Sequence, residues 1–312
     1  MSPLRVLFID DEARITRALK ALFRDCEVYT LNDPREAAAL AAEKDIDVVV
    51  CDQRMPQMSG VDCLREIVRR APRAMRLLLT GFSDLKAVLG SVNEGEVYRF
   101  VNKPWDNREL RELVFAAGKI ARESPALSAE PLPEAEQSAA RSQVGVLVLE
   151  DDAQVQQRLR EILQPYYAVR FASTPERALQ ILEQHETGVV ISETETSHGD
   201  MTALLKALKE IHPHIATVVI TDRANAQLAI DLINEGQVFR MLLKPVRMGS
   251  CRLSVDAAVG RYWQLKQKPA ATRRYATLPR IGNVVRLPDL DATLLSRLRT
   301  IPSRLASIAR FG

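Results

Sequence analysis

The chain has 312 residues, enough for two domains of ordinary size with something left over. Apolar residues make up 46% and charged residues 27%, a balance that excludes a disordered or membrane-embedded class. Net charge is only +3, but from Tyr262 onward ten Lys and Arg face two Asp, so a basic tail follows a net acidic body.

Residues 4–122 alternate short apolar runs with amphipathic stretches. The runs are LRVLFI, CEVYTL, DIDVVVC, AMRLLLT and VYRFV. Their length and their Val, Ile and Leu content read as strands buried on both faces. Helical patterns are expected between and after them, over Ala13–Arg24, Pro34–Lys44, Gly60–Arg70, Asp84–Asn93 and Asn107–Arg122. Five such units imply a parallel sheet with helices on both faces. The first strand begins at Leu4, which leaves no room for a secretory signal. No run reaches the ~18 apolar residues of a membrane span, so a cytoplasmic protein is expected.

The pattern then recurs. Residues 144–266 give VGVLVL, YAVRFA, TGVVIS, IATVVI and FRMLL as strands. The stretch between the copies, SPALSAEPLPEAEQSAARSQ, is dominated by Pro, Ala and Ser and reads as a linker. The expected organisation is therefore a first domain over 1–122, a linker over 123–143, a second domain over 144–266 and a basic tail over 267–312. The four cysteines, Cys26, Cys51, Cys63 and Cys251, show neither CxxC nor Cys/His metal spacing and read as reduced, mostly buried thiols.

In an open α/β sheet, ligands bind outside the carboxyl ends of the strands. In copy one those ends carry Asp10, Asp11, Asp52, Thr80 and Lys103. Three carboxylates on one edge repel each other unless something positive sits among them. An acidic cluster built only from oxygen donors suits Mg²⁺. Lys103 adds a point charge and Thr80 a hydroxyl donor. Carboxylate, hard cation, lysine and hydroxyl are together the kit for receiving a phosphoryl group. The blander account, in which Asp10 and Asp11 cap the first helix and Lys103 is surface charge, leaves the joint spacing unexplained.

Four pieces in order, FIDDE, CDQRMPQMSG, LLLTG and FVNKPW, carry a resemblance over the whole first copy. It resembles a receiver domain of two-component response regulators, and MPQMSG with NEGEVYRFVNKPW is similar to receivers found with HD-GYP or AAA+ output domains. The resemblance implies a doubly wound (βα)5, flavodoxin-like fold. It implies that Asp52 is the phosphoacceptor, attacking the phosphohistidine of a sensor histidine kinase or phosphotransfer protein. Asp10, Asp11, Asp52 and the backbone carbonyl of Arg54 would hold Mg²⁺. Thr80 and Lys103 would grip phosphoryl oxygens, Phe100 would be the switch aromatic, and Lys103-Pro104 would be cis. Gly81 would leave room for the donor histidine. Arg54 and Phe82 flank the pocket mouth, either as shields against water or as ordinary loop residues.

Copy two keeps the spacing. Asp52 to Thr80 is 28 residues, as is Glu193 to Thr221; Thr80 to Lys103 is 23, as is Thr221 to Lys244. NEGQVFRMLLKPV parallels NEGEVYRFVNKPW, so the same fold is expected. The chemistry differs. Glu150 and Asp151 replace Asp10 and Asp11, Glu193 replaces Asp52, Asp222 replaces Gly81, and Met241 replaces Phe100. A carboxylate at 222 would repel an incoming phosphohistidine. This copy resembles a degenerate receiver that does not take a phosphoryl group. Two accounts of Glu193 stand open: it imitates a phosphoaspartate and pairs with Lys244, or the site has decayed and the domain serves packing.

The tail has no strong periodicity until DLDATLLSRLRTIPSRLASIARFG. There Leu290, Leu294, Leu298, Ile301, Leu305 and Ile308 fall on one helical face, with Asp289 or Asp291 as cap, a bend at Pro302, and Arg297, Arg299, Arg304 and Arg310 late in the helix. Docking on a receiver or pairing in a homodimer is expected over nucleic-acid or membrane contact. No P-loop, GGDEF, EAL or HD dyad is visible, and none of His185, His198, His212 or His214 sits in a kinase motif. A non-enzymatic regulator acting on a protein target is the leading expectation. A basic tail that binds nucleic acid or membrane, and a phosphate sink without output, are the alternatives.

Overall fold

The structure is a computed structural model and describes residues 2–81, 97–128, 130–222, 226–236, 238–276 and 292–301. The chain divides into two compact units, residues 1–130 with 225–234, and residues 131–224 with 235–312.

The first unit holds β1 (Arg5–Ile9), α1 (Ala13–Leu22), β2 (Glu27–Leu31), a 3₁₀ turn (Pro34–Glu36) leading into α2 (Ala37–Glu43), β3 (Val48–Asp52), α3 (Gly60–Arg70), β4 (Met75–Thr80), β5 (Arg99–Asn102) and α4 (Asn107–Glu123). Its strands run in the order β2-β1-β3-β4-β5, every neighbouring pair parallel. This is the doubly wound order whose strand sequence reverses between β1 and β3, where ligands bind. The central strands β3 and β4 are buried along their whole length, which explains their unbroken apolar runs; the edge strand β2 is only half-buried. The expected helix over 84–93 lies outside the described residues.

Two features place the ends of β3. At its start, the fully buried Asp47 accepts from the Arg5 amide at 3.0 Å and pairs with Arg73 at 3.1 Å and Arg122 at 2.7 Å. At its finish, Gly60 opens α3 so close to the strand that a Cβ there would collide with the carbonyl oxygen of Asp52. Ser59 caps that helix, its hydroxyl accepting from the Asp62 amide at 3.2 Å.

From residue 131 onward the chain contains α5 (Glu134–Gln143), β6 (Gly145–Leu149), α6 (Ala153–Leu163), β7 (Ala168–Ala172), α7 (Pro175–Gln184), β8 (Val189–Glu193), a small antiparallel hairpin β9 (Glu195–Thr196) and β10 (Gly199–Asp200), α8 (Thr202–Ile211), β11 (Ala216–Thr221), α9 (Ala226–Gly236), β12 (Arg240–Leu243) and α10 (Met248–Gln267), all in the second unit except residues 226–234 of α9. A 3₁₀ segment (Pro269–Tyr275) follows, and then α11 (Ala292–Thr300). The five long strands repeat the first sheet's order, β7-β6-β8-β11-β12, all parallel.

The segment read as a linker differs. Its last ten residues form α5, which buries Ala140 completely and ties Arg141 to Asp256 of α10 through two bonds of 2.7 and 2.9 Å. Alanine, poor as a core residue but the best helix former, serves here because the helix sits close against α10. The tail helix is also shorter in its described part than the periodicity implied. It ends at Thr300, because Ile301 precedes a proline and is disfavoured from the helical region. Leu290, Leu305, Ile308, Pro302, Asp289, Asp291, Arg304 and Arg310 lie outside the described residues. Within α11 the face holds: Leu298 is fully buried and Leu294 half-buried, against α7 and α8. Arg297 forms a two-pronged pair with Glu183 at 2.8 and 2.9 Å, and the His212 ring meets the Leu298 carbonyl at 2.8 Å. Among the described residues no helix is long and apolar enough to cross a membrane.

Leu298→Asp would put a charge into this dry contact, at a cost on the order of several kcal/mol. The expected result is faster proteolytic cleavage between 276 and 292 than in the wild type, read by mass spectrometry of the fragments. An unchanged cleavage rate would mean that α11 does not depend on this contact.

Candidate functional site

In the first unit the carboxyl edge of the sheet gathers the residues that the spacing singled out. Asp10 follows β1, Asp52 ends β3, Thr80 ends β4, and Lys103 follows β5. The Lys103 ammonium stands between two carboxylates, 2.5 Å from Asp52 Oδ1 and 3.2 Å from Asp10 Oδ2. Asp10 and Asp52 are both buried, and Thr80 is buried beside them. Burial works to lower the pKa of Lys103, but the hydrogen bond and charge of Asp52, with those of Asp10, outweigh it and hold the pKa above its ordinary value.

Each carboxylate has a second task. Asp10 Oδ1 accepts the Glu12 amide at 2.9 Å and so starts α1, which has no side-chain cap of its own. Asp52 Oδ2 accepts the Arg54 amide at 3.0 Å, which fixes the turn after β3. Asp10 therefore braces the turn before the helix rather than capping it, and it pairs with Lys103 as well. Arg54 is exposed, Asp11 is half-buried, and Phe82 lies outside the described residues. Among the described residues no three acidic, histidine or cysteine side chains stand at metal-binding spacing. Lys103 takes the point where Asp10 and Asp52 meet, and Asp11 is not drawn into that pair. The donor set is nonetheless all oxygen and doubly anionic around one ammonium, which fits a hard divalent cation.

Phe100 is buried in β5, opposite Leu78 in the register of β4. Gly81 is exposed, and among the described residues a Cβ there would meet nothing within 4 Å. The Lys103-Pro104 bond is cis, as is Lys244-Pro245.

The second unit rebuilds the arrangement with longer acids. Lys244 Nζ lies 3.2 Å from Glu150 Oε2 and is in direct contact with Glu193 Oε2. Glu150 Oε1 accepts the amides of Asp151 and Asp152, each at 3.0 Å. Asp151 Oδ2 accepts from the Ser197 amide at 2.5 Å, which ties it to the β9–β10 hairpin and lowers its pKa. Glu193 and Thr221 are bridged by a neighbouring hydroxyl. Thr194 stands between them, its hydroxyl 3.4 Å from Glu193 Oε1 and 3.3 Å from Thr221 Oγ1. Sequence reasoning missed Thr194; the signal was a second polar residue directly after Glu193 at the end of a buried strand. Met241 is buried as Phe100 is, and Asp222 is exposed where copy one has Gly81.

The response regulator receiver domain family matches this sequence twice, over residues 6–115 and 146–256. The chain belongs to that family. Among its relatives, the hydrogenase transcriptional regulatory protein HoxA of Cupriavidus necator is 38% identical over 113 residues, 36% of this chain and 23% of that protein. The regulatory protein AtoC of Escherichia coli is 32% identical over 115 residues, 36% of this chain and 25% of that protein. The chain thus spans about a quarter of the length of these curated relatives. Among solved structures, the signal receiver domain of an HD domain-containing protein from Pseudomonas fluorescens Pf-5 is 31% identical, covering 39% of this chain and 91% of that one with a TM-score of 0.38. The two units are tandem flavodoxin-like receivers of a response regulator, followed by the basic, partly helical tail.

Burial raises the pKa of Glu193 above its ordinary 4.5; Lys244 opposes this and the charge of Glu150 adds to it. A carboxylate whose folded pKa is raised contributes stability that is full below 4.5 and is lost as pH rises through the raised value. Lys244, also raised, contributes stability below 10.5 that is lost only in stronger alkali. Wild-type protein should therefore gain thermal stability relative to Glu193→Gln as pH falls from neutral toward 4.5. Parallel melting curves for the two proteins across that range would contradict this.

Proposed function

We propose that this chain is a response regulator that accepts a phosphoryl group on Asp52 from the phosphohistidine of a sensor kinase or phosphotransfer protein, and that it signals through protein contacts. The observation that carries the reading is the Lys103 ammonium held between Asp52 and Asp10 at the carboxyl edge of the first sheet. A lysine poised on the acceptor oxygen is placed to neutralise phosphoryl oxygens as they arrive. Asp52 Oδ1 attacks phosphorus, the P–N bond to the donor imidazole breaks, and that nitrogen leaves with the bonding pair. Lys103 then follows the charge onto the phosphoryl oxygens, and the Thr80 hydroxyl turns toward them. Asp10, Asp11, Asp52 and the carbonyl of Arg54 would hold Mg²⁺, which supplies charge neutralisation at the phosphoryl oxygens when bound.

The second receiver is proposed to be unphosphorylated. Glu193 carries its carboxylate one methylene farther than Asp52 and ties it to Thr194 as well as to Lys244. Asp222 adds a negative charge at the entrance. The tail reading follows from its docking: with Leu298 buried and Arg297 paired to Glu183, this helix faces inward rather than toward a nucleic acid or a membrane.

Radiolabelling from acetyl phosphate or a cognate kinase tests the assignment. Wild-type protein should take label in the presence of Mg²⁺ and Asp52→Asn should take none. Glu193→Asp should add no second label, because Asp222 and Met241 remain. Hydroxylamine-resistant label on Asp52→Asn would remove Asp52 as acceptor, and label dependent on Glu193→Asp would refute the account of the second receiver.

A further inference from the structure

A cavity of about 450 Å³ opens in the second unit between α6, β7 and α7, away from the Lys244 site. Its polar lining is entirely basic or neutral: Arg160, Arg170, Arg177 and His185. Val169, Phe171 and Ile181 supply the apolar part. The Arg160 guanidinium lies over the Phe171 ring, 4.2 Å from its centre. Arg177 donates to Gln180 Oε1 at 2.5 Å. Among the described residues, none of the three guanidiniums forms an ion pair. The carboxylates of the flanking helices are committed elsewhere. Glu161 faces Arg158, Glu183 pairs with Arg297, and Glu186 pairs with Lys266. Glu176 is taken up by the start of α7, through its own backbone and the Thr174 hydroxyl.

The first receiver provides an internal comparison, because the two domains share one register. β2 lies along β1 with Tyr29 opposite Leu7 and Thr30 opposite Phe8; β7 lies along β6 with Arg170 opposite Leu147 and Phe171 opposite Val148. Counted from Pro34 and Pro175, Glu36 stands where α7 has Arg177. By the same counting Lys44 stands where the second receiver has His185, and counted from Ala13 and Ala153, Lys20 stands where it has Arg160. Lys44 pairs with Glu43, and Tyr29 hydrogen-bonds to Glu27. The guanidiniums at 170 and 177 are therefore a property of the second receiver and not of the fold.

We propose that this cavity binds a small phosphate-bearing organic anion of nucleotide size. Guanidinium forks match phosphate oxygens in pairs, and three of them converge here without a competing acid. The volume falls within the ~300–1,000 Å³ typical of small-molecule sites. The guanidinium plane of Arg160, backed by Phe171, offers a flat surface on which a planar group can stack. The domain that gave up phosphotransfer would in this way carry a second, diffusible input.

Calorimetric titration of the full chain with inorganic pyrophosphate and with ADP, both without Mg²⁺, tests this. Both should bind at one site, ADP the tighter. Replacing Arg170 and Arg177 by their first-receiver counterparts, Arg170→Tyr with Arg177→Glu, should weaken both at least about tenfold. Arg160→Leu should remove the advantage of ADP over pyrophosphate. The double variant should keep the wild-type melting temperature and its Asp52 labelling, which separates loss of the site from loss of the fold. Absence of heat from both probes, or binding that survives the double substitution, would overturn the proposal. ADP binding no tighter than pyrophosphate would overturn the planar part of the ligand.

Discussion

Each sheet brings two carboxylates to the same edge, and each edge carries one lysine between them. Asp10 and Asp52 are buried, so their charges are poorly screened and their repulsion is strong. Lys103 resolves it in the first receiver and Lys244 in the second, between Glu150 and Glu193. The other features of the edge follow from this. The acids must end β1 and β3 because only adjacent parallel strands present them side by side. The lysine must follow the strand beyond, where its amide bonds the carbonyl of Thr80 or Thr221 at 2.9 Å and its chain turns back over the acids.

One methylene separates the two versions. Asp52 ends β3 and meets Lys103 at 2.5 Å. Glu193 extends farther, meets Lys244, and is linked through Thr194 to Thr221. The loop after the strand changes with it. In the first receiver Gly60 lets α3 start against the Asp52 carbonyl, its amide bonded to Gln53 O at 3.0 Å. In the second, Met201 makes the same bond to Thr194 O at 2.9 Å, and the β9–β10 hairpin fills the space between and holds Asp151. Glutamate and threonine thus link β8 to β11, and the hairpin holds Asp151 at the same edge.

The second unit is also larger than the receiver itself. α5 packs on α10 before the first strand begins, and α11 covers α7 and α8 after the last helix ends. Both additions combine one fully buried small or aliphatic residue, Ala140 or Leu298, with one arginine–carboxylate pair. The bidentate geometry of those pairs orients a short helix that its apolar contacts alone would leave free to rotate. The basic composition of the tail is in part structural, since Arg297 is used in docking.

The two sheets, their order and the residues at their edges were legible in the amino-acid sequence alone. Apolar runs of strand length and a repeated 28- and 23-residue spacing are one-dimensional signals, and the parallel fold converts them into position directly. The sequence also marked Glu193 and Asp222 as departures, because the first copy supplied the reference. The packing of the folded chain was needed to show that the segment read as a linker ends in a docked helix, that Thr194 joins Glu193 to Thr221, and that Asp47 gathers two arginines under β3. Arg141 meets Asp256 across 115 residues and Arg297 meets Glu183 across 114. Partners that far apart leave no local periodicity, and an Ala- and Ser-rich stretch reads as linker until the surface it rests on is known.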